Sequence, residues 1–298
     1  MNGRFKHHTD SGAFAVLRRH GRSFAFASAL LPRRQRAHSA RLYRFCRYVD
    51  DLADRATDRS RADRQLSAMS FDVSSGRSEE PAIADFLDLC EEASVERSAA
   101  VELIAGVRSD LTRVRIQDER HLLEYCYQVA GTVGLMMSSI LGASGPDAKA
   151  AAIDLGIAMQ LTNIARDIVE DAQIDRRYLP QSIVGELEPA QIVNPTEHSR
   201  ALLRGATLWL LERAEHFYGT GSRGLIYLPF RARAAILIAA RLYRAIGKRI
   251  AAQGYDPSRG RAVVADAEKL RLALTSLPAL LRSNGRYGWP GFKPSQPH

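Results

Sequence analysis

Four polar residues, Gln160, Asn163, Asp167 and Asp171, stand at i, i+3, i+7 and i+11. Helical periodicity stacks them on one face, turn above turn. Apolar Leu155, Met159, Ile164 and Ile168 run beside them, so the row borders a buried surface. An unpaired carboxylate in such a place is costly, and a ligand that neutralises it removes the cost. A second row, Tyr43, Arg47, Asp50 and Asp54, falls at i, i+4, i+7 and i+11, between apolar Leu42, Phe45, Val49 and Leu52. Asp is a poor mid-helix residue. One such run reads equally well as solvated surface, whereas two on otherwise apolar helices point to chemistry.

Facing one another in a helical bundle, the two rows bring aspartates together with Asn163 and Gln160. The donors are all oxygens, with no His or Cys, which favours a hard cation such as Mg²⁺. Mg²⁺ keeps waters and shares carboxylates with substrate phosphates. Arg47, Arg166, Arg176 and Arg177 stand near the acids in sequence. A site for the cation alone has no use for them, while a diphosphate does. An ionic mouth beside apolar helices suits a long hydrocarbon with a diphosphate head, and metal-assisted loss of that diphosphate.

The elements that must position these residues all read as helices. Ser11 to Arg19, Gln35 to Arg55, Asp85 to Glu92, Ser94 to Ser109, His121 to Gly142, Ser199 to Gly219, Phe230 to Gln253 and Ala265 to Leu281 carry helical period. Small residues Ala130, Gly131 and Gly134 allow another backbone to approach the His121 segment. Ala56 to Glu80 reads as a frayed helix and a surface loop, Ser182 to Thr196 as a connection, and GTGSRG at Gly219 to Gly224 as a helix cap and turn. No alternating strand pattern is present. The expected architecture is all-α, one domain over residues 1–298, with loosely ordered tails at 1–10 and 283–298.

A net charge of +9 selects anionic partners, but the basic residues are scattered and no nucleic-acid module is recognisable. Cys46, Cys90 and Cys126 are few, odd in number and widely spaced, as expected of reduced core residues in a cytoplasmic protein. No apolar run reaches the ~20 residues of a membrane span, and the N-terminus lacks the apolar segment of a signal peptide. Arg33, Arg34 and Arg36 beside an apolar helix suit attraction to anionic headgroups. A cytoplasmic protein is therefore expected, and the three arginines suit either a solvated loop or peripheral membrane contact.

YRFCRYVDDLAD and QLTNIARDIVEDAQIDRRYLP resemble the two aspartate-rich signatures of the squalene and phytoene synthases, and SFAFASALLP and GTVG resemble two further blocks of that family. The similarity runs from about Ser23 to about Leu270. It implies an isoprenoid-synthase-type helical bundle with a central apolar cavity, and head-to-head joining of two prenyl diphosphates through a cyclopropylcarbinyl diphosphate. Carried over, Asp50, Asp54, Asn163, Asp167 and Asp171 hold several Mg²⁺ ions, with Mn²⁺ able to replace them. His20, Gly21, Arg22, Ser23, Phe24, Tyr43, Arg47, Gln160, Arg166, Arg176, Tyr178, Tyr243 and Arg261 contact the diphosphates. Tyr125 matches a tyrosine near the departing diphosphate and, with the aspartates, forms the catalytic set. Gly21 departs from the polar residue usual in the family, and Ala25 from an aromatic one.

Small Ala25, Ala27, Ser28 and Ala40 on the first two helices suggest a pocket deep enough for C20 geranylgeranyl diphosphate. The product expected is then C40 phytoene, made through prephytoene diphosphate as the first committed step of carotenoid biosynthesis, with no need of NADPH. The alternatives are a C30 synthase acting on farnesyl diphosphate, and a non-catalytic family member serving as an assembly factor.

Overall fold

A computed structural model of the chain describes residues 12–19 and 21–281, without the side chains of Arg22, Ser23 and 277–281. The terminal segments expected to be loose lie outside the described residues. Helices follow in the order α1 (12–19), α2 (Arg22–Ser28), α3 (Arg33–Asp54), α4 (Arg59–Ser75), α5 (Pro81–Ala93), α6 (Arg97–Ser109), α7 (Glu119–Cys126) and α8 (Thr132–Leu141). They continue with α9 (Pro146–Arg166), α10 (Ile168–Gln173), α11 (Gln181–Val184), α12 (Pro189–Val193), α13 (Glu197–Gly221), α14 (Phe230–Ala252) and α15 (Asp266–Leu281). Among the described residues the only β pairing is one parallel bridge between Arg115 and Arg177.

Three long helices set the frame. Tyr227, just before α14, donates to Asp147 at the start of α9 (3.4 Å). Farther along, Tyr243 of α14 hydrogen-bonds with Asn163 near the end of α9. The two helices therefore run in the same direction. Phe24 of α2 lies between α14 and α3, its ring 5.4 Å from Tyr243 and 6.5 Å from Tyr43. Arg231 Nε of α14 donates to the Leu30 carbonyl just before α3 (2.9 Å). Thus α3 starts at the same end, and the aspartates of α3 and α9 share the other.

Apolar burial holds this frame in two main cores. One joins α3 to α6 and α8 around Leu42, Phe45, Leu66, Phe86, Leu103 and Met136, with Phe45 stacked on Phe86. The other surrounds α9 and α13 through Leu122, Leu161, Leu210 and Tyr218. All three cysteines are free and buried. Between α7 and α8 the helix widens into a π-turn, Tyr127–Gly131. Here α9 comes close: a Cβ on Gly156 would lie 2.2 Å from the Ala130 carbonyl oxygen, and one on Gly134 would lie 2.2 Å from that of Ala152. The small residues of this segment do admit a neighbouring backbone.

Three sequence expectations need correction. Residues 56–80 hold a full helix, α4, started by Asp58 accepting from the Arg61 amide and ended at Gly76 with φ +77°. Its buried stripe of Ala62, Leu66, Met69 and Val73 is narrow and was hidden among Asp, Arg and Ser. Ser182 to Thr196 contains the short α11 and α12. GTGSRG stays helical, completing α13 and entering a 3₁₀ segment, Ser222–Tyr227. Two of its glycines serve packing, since Cβ atoms on Gly221 and Gly224 would meet Leu155 N at 2.8 Å and Ala151 Cβ at 2.3 Å.

Candidate active site

Each acidic row lies where its helix ends. Asp50 and Asp54 occupy the last turns of α3, while Asp167 caps α9 and Asp171 follows in α10. Burial, then the nearby Asp54, pushes Asp50 up to about 7. Burial, then Asp167, pushes Asp171 up to about 7 as well. Burial also works against the Asp167 charge, but the guanidinium groups of Arg166 and Arg261 outweigh it and hold this carboxyl below its ordinary range. Arg166 Nε and Arg261 Nε both donate to Asp167 Oδ1 at 2.7 Å. Arg261 thus reaches the site from the loop beyond α14.

The rows do not meet directly as one group of acids. Among the described residues no three carboxylates, histidines or cysteines form a ready-made metal cage. Arginine and one further aspartate join the two sides. Arg176 donates to Asp54 at 3.0 Å and its charge also eases Asp171. Asp110, at the end of α6, repels both Asp50 and Asp171. It accepts from Tyr125 Oη at 3.0 Å and from Tyr178 Oη at 2.8 Å. Those two rings stack with centroids 4.8 Å apart. Burial raises Asp110, opposed by Arg176 and by the two tyrosine hydroxyls. Burial likewise raises both tyrosines well above the usual range, keeping their protons on oxygen.

In the sequence Asp110 simply follows the segment that ends at Ser109. No periodic partner marks it, because backbone pairing far along the chain supplies its neighbours. Arg177 N donates to the Val114 carbonyl (3.1 Å), Ile116 N to the Arg177 carbonyl (3.2 Å), and Gln181 N to the Ile116 carbonyl (2.9 Å). This short ladder places Arg176 and Tyr178 beside the segment that leaves Asp110. Arg115 braces it, bonding Asp175 and Glu188 at 2.6 and 2.9 Å. Arg177, grouped by sequence with the acids, is 3% exposed and donates to the Gly185 carbonyl (2.9 Å), so its role is structural.

The remaining residues gather around the same end or just inside it. Arg47 pairs with Asp51 one turn on, an acid outside both rows. Gln160 accepts from the Asn163 amide (3.3 Å), while Asn163 Oδ1 is buried without a hydrogen-bond partner. Tyr243 and Tyr43 lie inside the rows, with Phe24 between their rings. Burial, then Tyr243, pushes Tyr43 up to about 12. Gly21 is buried, and a Cβ there would stand 2.9 Å from the Tyr43 ring. The missing side chain at this position makes room for the tyrosine. His20 and the side chains of Arg22 and Ser23 lie outside the described residues.

These groups suit a hard cation. The available donors are oxygens, one amide oxygen lacks a partner, and two carboxylates are held in surroundings that disfavour their charge. Arginines at the same acids suit an anion that arrives with the metal.

Two of the small residues on α2 and α3 pack helix against helix. Ala27 packs against Ile238, Ala239 and Leu242 of α14, and Ala40 against Ala13 and Leu17 of α1. Their small size lets these helices come together.

A family described as squalene/phytoene synthase matches residues 17–268. The chain is 35% identical over 268 residues to a 15-cis-phytoene synthase of Enterobacter agglomerans, covering 86% of this chain and 90% of that protein. It is 34% identical over 260 residues to a phytoene synthase of Rhodobacter capsulatus, covering 85% of this chain and 76% of the other. A crystal structure of a dehydrosqualene synthase in complex with ligand superposes with a TM-score of 0.83 at 26% identity, covering 93% of this chain and 98% of that one.

Proposed function

The chain belongs to the squalene/phytoene synthase family, and from that premise we propose that it condenses two C20 geranylgeranyl diphosphates head to head into phytoene. One allylic diphosphate ionises and the double bond of the second molecule attacks the cation. Proton loss closes a cyclopropylcarbinyl diphosphate, prephytoene diphosphate. Loss of the second diphosphate, rearrangement and a further proton loss complete the hydrocarbon. Two diphosphates and two protons leave, so the balance needs no hydride and no NADPH.

The observation that carries this reading is the arginine-bridged acidic end. Arg176 on Asp54, and Arg166 with Arg261 on Asp167, hold cations against carboxylates that a diphosphate–metal cluster would engage instead. Asp50, Asp54, Asn163, Asp167 and Asp171 would hold Mg²⁺, which when bound supplies positive charge to a departing diphosphate. The arginines released from the acids would then bind phosphate oxygens. Tyr125 and Tyr178, fixed on Asp110, present neutral hydroxyl groups at this end of the fold. Apolar α9 and α14 line the direction in which prenyl tails would run.

The C20 choice is supported by the phytoene synthases among the relatives. A C30 reading has its own support in the dehydrosqualene synthase superposition. To decide, purified protein is incubated with Mg²⁺ and either C15 or C20 diphosphate, without NADPH, and the hydrocarbon is identified. Turnover of C15 alone would refute the phytoene assignment. A non-catalytic assembly role fits poorly with an intact set of acids. Asp50→Asn combined with Asp167→Asn should abolish turnover with the helical spectrum unchanged, and a cellular phenotype surviving that double change would favour the assembly role.

A further inference from the structure

The end of the fold opposite the aspartates carries a second chemistry. At ~1.5 Å per residue, Asp50 lies about 25 Å along α3 from Arg33, and Asp167 about 30 Å along α9 from Asp147. Two similar segments meet at that far end: Leu30, Leu31, Pro32 and Arg33 leading into α3, and Tyr227, Leu228, Pro229, Phe230 and Arg231 leading into α14. In each, the leucine next to the proline is buried in one shared cluster, Leu31 at 6% and Leu228 at 8% exposure. In each, proline starts the helix with nearly the same backbone, φ −54°, ψ 151° at Pro32 and φ −53°, ψ 150° at Pro229. The Arg231 bond to the Leu30 carbonyl ties the segments together.

With these leucines anchored inside, their neighbours turn outward. Leu30 is 39% exposed, Ile226 46%, Tyr227 41% and Phe230 55%. Large apolar side chains gathered at one place on a surface mark a contact site. Arg33, Arg223 and Arg231 are exposed around them, while the exposed Arg34 donates to the Glu92 carbonyl of α5 (3.1 Å). Neither first turn of α3 or α14 contains an acid. Arg231 and Arg233 bond backbone carbonyls, contacts that orient a guanidinium without cancelling its charge. Asp147, which accepts from Tyr227, is an acid at the edge. Arg36 turns away and lies over the Phe14 ring, so it does not belong to this surface.

We propose that the paired segments at Leu30–Arg34 and Ile226–Arg231 form a docking surface for an anionic phospholipid bilayer, with the apolar side chains entering the headgroup boundary and the arginines facing lipid phosphates. The charge complementarity names the occupant: an apolar patch alone suits a second protein copy equally, whereas an arginine rim over a net charge of +9 repels one. The inference deepens the proposed function, since it sets the apolar end of the fold against the phase that holds long prenyl chains. Its test does not depend on turnover.

The full chain is floated with phosphatidylcholine vesicles with or without phosphatidylglycerol, in the absence of substrate. Binding is expected with the anionic vesicles and weaker with the neutral ones. Leu30→Ser with Phe230→Ser should weaken it by about tenfold or more. Arg33→Gln with Arg231→Gln should weaken anionic binding alone, and Phe71→Ser, on the distant α4 where Phe71 is 71% exposed, should change nothing. Light scattering and the helical spectrum are followed for each variant. Absence of wild-type binding, undiminished binding by the first pair, or a wild-type dimer that the first pair converts to monomer would each overturn the proposal. Turnover of detergent-dispersed substrate, measured separately, reports on the catalytic reading.

Discussion

Asp110 offers a direct measure of whether its carboxylate serves as an acceptor or as a charge. Replacing it with alanine leaves the hydroxyls of Tyr125 and Tyr178 without their acceptor in a buried place. A buried polar group left unpaired costs ~1–3 kcal/mol, so two give roughly 2–6 kcal/mol. Against this, the change removes a desolvated charge that faces Asp54. We expect a net loss of ~1–4 kcal/mol for Asp110→Ala, read as a fall of several degrees in Tm at ~2–4 °C per kcal/mol. Asp110→Asn keeps the shape: its oxygen accepts from one tyrosine and its amide donates to the other hydroxyl. With repulsion also relieved, its stability should stay within ~1 kcal/mol of the wild type. Thermal melts of both variants in EDTA, at one pH and followed by circular dichroism, decide the point. Equal destabilisation by Asn and Ala would refute the acceptor account, as would an alanine variant as stable as the wild type.

Gly156→Ala should be destabilising despite its better helix propensity: overpacking costs ~1–3 kcal/mol or more and propensity returns ~1 kcal/mol, so a chemical-denaturation midpoint below the wild type is expected. Asp50 titrates at about 7 in the folded protein and near the ordinary carboxylate value when unfolded. Between those values the native state holds more protons, so metal-free stability should fall as pH rises from ~4 to ~7. Asp50→Asn should flatten that slope in Tm measured in EDTA, and an unchanged slope would count against the assignment. Gly21→Ser should displace the Tyr43 ring and raise KM for the prenyl diphosphate about tenfold with a smaller change in kcat, since a substrate contact is lost in both ground and transition states.

The parts of the fold and site that were legible in sequence are those written in one helix at a time. The rows Tyr43–Asp54 and Gln160–Asp171 are periodic, and each lies at a helix end facing the same region. Helix α4 reads as frayed in the sequence because a single buried residue per turn is weak against a polar background. Asp110 and the ladder from Val114 to Arg177 were illegible for another reason: their meeting is a tertiary event across more than sixty positions, with no local spacing to record it. Pairing choices were equally hidden. Sequence placed Arg47 among the acids but gave no sign that Asp51 would take it, nor that Arg261 would reach Asp167.

The two sides of the acidic end differ in how firmly they are held, and the glycines explain why. On one side of α9, Gly156 and Gly134 bring the π-turn segment and α8 into backbone contact. On the other, Gly221 does the same for α13, and Gly224 sets the 3₁₀ extension against the Ala151 side chain. A helix clamped at backbone distance on two sides cannot slide by even a fraction of an ångström without collision. Gln160, Asn163 and Asp167 stand on or directly after that helix. The α3 side is looser: the Asp54 side chain is 43% exposed, and its cationic partner Arg176 comes from a loop. An incoming metal–diphosphate cluster would therefore find fixed ligands on α9 and adjust the α3 end. Exchange of Arg176 from Asp54 to phosphate is the motion this asymmetry permits at least cost, because it breaks one ion pair, whose acid is partly exposed, and no backbone contact.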